Sequence, residues 1–455
     1  MNLSQQAPAG RPVRRAGPAL GNPANSKAVA PEKELAGTVH DPRQGQRWRL
    51  QRAAQHILSD TKPREGGLAF VYRVSMCQRG GTGQGARKIN RNPEGTRAAY
   101  RNLQTCGSVW HCPICAPKIA TGRCREMDSA IGQHGIDRRI YFITYTVQHD
   151  RDDSGSGQLG AQLGCLRKSL SRAKASRAWR EVMTRAGSIG SIRALEITYG
   201  EMNGWHSHAH EIRFAEPGGL VVDREGKTVR WLSPLYALSR LWVRELIARN
   251  VAGLDPLDAP LDRRKKLRSL LVRGLTVQDG TYAARYVAEF GTAPEKGLWV
   301  SGELALSHIK TARRTGHCTP WGLLADALGG DARSRDLFRE YAKELHGVPQ
   351  LYWSRGLKAH FKIEDIEDDS LAAEPDKTCS QFVAIVDDED WSRVLRYNAR
   401  FELLRAAAID GPLGVSAYLL DLKESERGGL SPPSFSGLFQ RHPRDFFPDR
   451  FKVAA

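Results

Sequence analysis

Three histidines at alternating positions, His206, His208 and His210 in the run GWHSHAH, constrain this chain more than any other feature. Side chains along a β-strand repeat every two residues, so on a strand all three imidazoles leave one face of the sheet. The preceding run IRALEITY (192–199) is also strand-like, and only GEMN separates the two, which is a hairpin signal. Folded about Met202, the hairpin pairs Glu196 with His208 and Thr198 with His206, with facing Cβ atoms roughly 5 Å apart. A carboxylate then stands beside two imidazoles. His208, His210 and Glu196 are the expected ligands of one cation, with His206 an outer or optional one. A one-residue shift of the turn would bring in Glu201 or Glu211 instead. Imidazole and carboxylate ligands with open positions suit Mg²⁺ or Mn²⁺ where a phosphate must bind.

Around this hairpin, RIYFITYTV (139–147) has the density of β-branched and aromatic residues of a buried strand. Residues 68–76 also look like a strand, 158–186 like one strongly basic helix, and 233–250 like a second helix. Residues 271–278 are strand-like, and 281–290 and 331–346 helical. That order predicts an α+β fold, an antiparallel sheet covered by helices. Residues 1–47 contain no aromatic side chain and are expected to form a disordered basic tail. The predicted divisions are then an N-terminal metal-binding region (48–125), the domain carrying the hairpin with its extension (126–360), and a C-terminal region of unassigned role (361–455).

Sixty-eight Lys and Arg oppose 50 Asp and Glu, a formal charge of +18. The excess asks for an anionic partner. With no run of 18 apolar residues and no leader-like N-terminus, nucleic acid is expected rather than membrane, in the cytoplasm. Cysteines there stay reduced, so clusters among the eight are read as metal ligands. Cys106, Cys112 and Cys115 fall within CGSVWHCPIC, and C-x-x-C spacing suits a tetrahedral Zn²⁺ site. Cys77 is the preferred fourth ligand and His111 the competitor.

Tyr282 and Tyr286 lie four residues apart, adjacent on one helix face. A phenol with a pKa near 10 is a poor nucleophile at neutral pH. Arg285 could favour its anion, and a divalent cation on the histidine strand could polarise an attacked phosphate.

Together these segments resemble the HUH endonucleases, and among them the plasmid rolling-circle replication initiators. The resemblance covers roughly residues 70–360. It rests on CGSVWHCPIC, FITYTVQH (142–149), GWHSHAH, YAARYVAEF (282–290) and EYAKELHGVPQLYWSRGLK (340–358). It implies that Tyr286 attacks a phosphate of single-stranded or hairpin origin DNA, keeping a 5′-phosphotyrosine and freeing a 3′-OH for a host polymerase that works with a helicase. Many plasmid initiators carry glutamate where Tyr282 stands. The tyrosine pair is instead similar to the A proteins of small single-stranded DNA phages, which implies Tyr282 as second nucleophile, with Glu289 an alternative activator of water. A two-tyrosine HUH transposase and a non-catalytic zinc-dependent DNA-binding regulator are the rival readings. Oligomeric state is not legible.

Overall fold

Strand periodicity runs further than the two short segments suggested. In the computed structural model, which describes residues 42–59, 72–135, 138–147, 158–216, 234–249, 259–280 and 317–428, the hairpin strands are β4 (Ser188–Gly200) and β5 (Gly204–Ala215). The tyrosine segment 282–290 and most of the N-terminal tail lie outside the described residues. β5 is central. It pairs antiparallel with β4 on one side and with β3 (Arg139–Thr146) on the other. β6 (Leu275–Asp279) adds to β3, while β7 (His317–Cys318) and β8 (Leu351–Trp353) add to β4. The described fold is α+β, with antiparallel sheets flanked by helices.

The two faces of this sheet are covered differently. Odd residues of β3 and β5, with Leu195, Ile197 and Tyr199 of β4, bury against α3 (Gln158–Ala175), α4 (Arg177–Arg185) and α5 (Ala237–Ala248), with Leu270 of α6 (Pro260–Arg273). The same core takes in α7 (Pro320–Leu328) and α8 (Ala332–Glu344). On the other face, Ile140, Ile192, Ile212 and Phe214 are covered by Met127 and Ile131 of α2 (Cys115–His134) and by Leu357 and Phe361. Among the described residues, this apolar cluster does not extend to the histidines.

The stretch 158–186 is two helices, not one. Ser176 breaks it, its hydroxyl accepting from the Trp179 amide as an N-cap. Arg73–Met76 forms a 3₁₀ turn where a strand was expected, and it delivers Cys77 beneath α1 (Pro42–Ser59).

A smaller sheet, β2–β1–β9, joins Arg87–Arg91 and Ala98–Arg101 to Gln381–Val386 from the C-terminal region. It packs on α9 (Asp388–Arg396) and α10 (Arg400–Gly428). By length and composition α10 could cross a membrane, yet 56% of its apolar window is buried inside the protein. Gly411 at φ 60 and Pro412 also break its helical path. It is a core helix that packs with the smaller sheet.

Candidate functional site

The hairpin register is the one the alternation implies: Glu196 faces His208, Thr198 faces His206 and Ala194 faces His210. Across β5's other edge, Thr144 faces His210 and Thr146 faces His208. The three imidazoles, Glu196 and both threonines therefore share one half of one sheet face, where His210 is buried and His206, His208 and Glu196 are half-buried. Thr146 Oγ1 lies 3.0 Å from His208 Nδ1, and Thr144 Oγ1 lies 3.1 Å from His210 Nδ1. Where the hydroxyl accepts from Nδ1–H, Nε2 keeps its lone pair, the tautomer a ligand needs, whereas a proton on His210 Nε2 would be donated to Glu196. His210 Nε2 stands 2.7 Å from Glu196 Oε2, and His208 Nε2 stands 3.0 Å from His206 Nδ1. Phe142 stacks on His210 at 5.4 Å between ring centroids, which limits how far that ring can turn. Imidazole nitrogens and a carboxylate, with hydroxyls behind two of the rings, are donor types that a divalent cation takes.

Sequence reasoning missed Thr144 and Thr146. The signal was present as the alternating T-x-T of FITYTVQH, but its partners on β5 lie more than sixty residues away in the chain.

Glu211 is not an alternative ligand. It points to the opposite face, fully buried, and is bound by Lys174 and Arg213. Burial alone would push its carboxyl up, yet the two cations hold it down to about 2. Because the folded value lies below the ordinary 4.5, its stabilisation is fully present above that pH and is lost as pH falls toward about 2. Glu211→Leu strands the buried Arg213 and the half-buried Lys174, so urea titration at pH 7 should show a loss of about 3–5 kcal/mol. Glu201 sits exposed in the turn.

The cysteine cluster is more deeply buried than the histidine face. Among the described residues, Cys77, Cys106, Cys112 and Cys115 are the group whose ligand atoms all lie within 4.8 Å of one another, every one of them buried. Sulfur separations are 3.6 Å for Cys77–Cys115, 3.6 Å for Cys77–Cys112 and 3.8 Å for Cys106–Cys115. Zn–S bonds of about 2.3 Å set tetrahedral sulfurs about 3.8 Å apart, so the four thiols could hold a metal such as zinc. The competitor His111 turns away. Its Nε2 meets the Ala342 carbonyl at 3.0 Å, and burial drives its pKa down to about 4.

Two buried glutamines of α1 close the cluster from outside. Gln55 Nε2 donates to the Cys77 carbonyl at 2.9 Å, and Gln51 Nε2 lies 3.7 Å from Cys112 Sγ. The segment 340–358 ties the two regions together. Trp110 Nε1 donates to the Val348 carbonyl at 2.6 Å. Glu340 accepts from the Leu159 amide at the start of α3 and from Trp205 Nε1 on β5. A carboxylate at a helix N-terminus is favoured by the exposed amides there.

No family model matches the chain, and no solved structure matches it. Among curated proteins it is similar to "Protein rep" of Streptomyces lividans, 27% identical over 358 residues, covering 67% of this chain and 75% of that protein. It is also similar to the "Neomycin resistance protein" of Streptomyces cyanogenus, 30% identical over 139 residues, covering 25% of this chain and 31% of that protein.

Proposed function

We propose that this protein initiates rolling-circle DNA replication of a plasmid-type replicon in the cytoplasm, by nicking one strand of the origin. The observation that carries the proposal is the half-face on which His206, His208, His210 and Glu196 meet, backed by Thr144 and Thr146. Similarity to a Rep protein over 67% of the chain supports it, at distant identity, and the +18 charge suits a polyanionic partner.

His208, His210 and Glu196, with His206 beside them, would hold a Mg²⁺ or Mn²⁺ ion, which when bound supplies Lewis-acid polarisation of the scissile phosphate. Thr144 and Thr146 keep two of the rings in the ligating orientation. Tyr286 is the nucleophile. Its phenolic oxygen attacks phosphorus, the P–O3′ bond breaks, and the proton passes to the departing 3′ oxygen. One phosphodiester is exchanged for another, a 5′-phosphotyrosine, and the free 3′-OH primes a host polymerase behind a helicase. Arg285, adjacent in sequence, favours the phenolate and is not suited to accept a proton. Tyr282 takes the second transfer, which closes the displaced strand. Zn²⁺ in the cysteine cluster has a structural role, since four thiolates leave no open position.

Incubation with end-labelled single-stranded origin DNA and Mn²⁺ is expected to give a denaturant-resistant protein–DNA adduct. His208→Ala should lower adduct yield at least about 100-fold, while salt-sensitive DNA binding changes little, because phosphate contacts from Lys and Arg dominate affinity. Undiminished adduct from His208→Ala would remove that residue from the site.

A further inference from the structure

The layer of helices behind the sheet carries charge that the nicking face does not use. α6 holds six cations against one carboxylate, Asp262, which is paired with Lys265 at 3.3 Å. α3 adds four cations and no carboxylate, and α5 adds Arg240 and Arg244 against Glu245. The apolar sides of all three helices enter one core, with Leu166, Leu170, Trp242, Leu246 and Leu270 buried. Apart from Lys174 of α3, which reaches inward to Glu211, their cations are therefore turned outward. Arg167, Arg172, Arg244, Arg263, Arg264 and Arg268 are all exposed. Arg249, just past α5, donates to the Lys168 carbonyl of α3, so the two helices adjoin.

We propose that this outer surface of α3, α5 and α6 binds the duplex DNA flanking the nick, through its phosphates. The surface lies on the side of the sheet away from His206, His208 and His210, so it grips duplex while the histidine face works on single strand. Duplex is favoured over single strand by chemistry. Sequence-tolerant single-strand sites stack bases on exposed aromatic rings, whereas α3 and α6 contain no aromatic residue and the α5 tryptophan, Trp242, is fully buried. A membrane surface is disfavoured because the exposed Leu261 and Val272 are separated along their stripe of α6 by Lys265 and Arg268, leaving no continuous apolar edge. The proposal deepens the nicking assignment by naming where the remainder of the origin docks.

The test combines Arg263→Ala, Arg264→Ala, Lys265→Ala and Arg268→Ala in the full chain and measures binding to a blunt duplex of about 20 base pairs across a salt series. A charge-matched control replaces the exposed cations Arg125, Lys343, Lys377 and Arg396. Each lost phosphate contact lowers the log–log salt slope by about 0.9, so the α6 variant, four cations short, should lose up to about 3.6 from the slope and bind at least about tenfold more weakly. The control should change far less. Adduct formation on a short single strand, free of flanking duplex, should persist in the α6 variant and serves as its folding check. If the wild-type chain forms no adduct but the α6 variant still loses duplex binding, the nicking assignment fails and this one stands. An unchanged slope overturns the proposal. So does an equal loss of binding to a 20-nucleotide single strand, or loss confined to anionic phosphatidylserine vesicles.

Discussion

Tyr286→Phe is expected to abolish the covalent protein–DNA adduct, lowering its rate at least about 1,000-fold, the scale on which loss of a nucleophile is felt. The substitution removes one oxygen and keeps the ring, so packing and DNA affinity should survive. Tyr282→Phe should behave differently. It should form the first adduct at close to the normal rate and fail in the second transfer, so that single-turnover nicking persists while closed circles do not accumulate. Denaturing gels of labelled DNA, read in both single-turnover and multiple-turnover conditions, separate the two roles. An adduct of normal yield in the Tyr282→Phe, Tyr286→Phe double variant would sink the assignment of both phenols.

Cys112→Ser is expected to release the bound metal and to produce the largest loss of stability of any single change. The cluster is part of the main core, where Cys77, Cys106, Cys112 and Cys115 pack with Tyr72, Val109 and Trp110. Structural zinc contributes on the order of 10 kcal/mol in isolated finger peptides. Losing half of that lowers a melting midpoint by about 10–20 °C, at about 2–4 °C per kcal/mol for a domain of this size. Metal released on denaturation, counted with a colorimetric chelator, should be one zinc per chain in the wild type and near none in Cys112→Ser. His111→Ala should retain the zinc, because its ring hydrogen-bonds a backbone carbonyl instead of facing the sulfurs. Zinc loss in His111→Ala with retention in Cys77→Ser would reverse that assignment of the fourth ligand.

The parts legible in the sequence were those set by local periodicity. Alternation placed His206, His208 and His210 on one face, and a short turn set Glu196 against His208, because hairpin register follows from the turn and the pleat. C-x-x-C spacing likewise brought Cys112 and Cys115 together. Local pattern failed where tertiary packing chose between options. Residues 73–76 end a strand-like run but form a 3₁₀ turn that buries Val74 and Ser75 and is followed by Cys77 beside the other sulfurs. The basic run 158–186 reads as continuous helix, yet Ser176 caps a new one that brings Trp179 and Val182 into the core.

By itself, then, the sequence determined which side chains share a face, which thiols share a loop, and the polyanion-seeking charge. Only the tertiary structure decided what stands behind and around them. It set Thr144 and Thr146 against the imidazoles, chose Cys77 over His111, turned Glu211 to Lys174 and Arg213, and closed β1 with a strand almost three hundred residues away. The reason is physical. Strand and helix periods are written in neighbouring residues, whereas contacts between distant segments depend on which apolar surfaces bury each other, and that is settled only by the whole core.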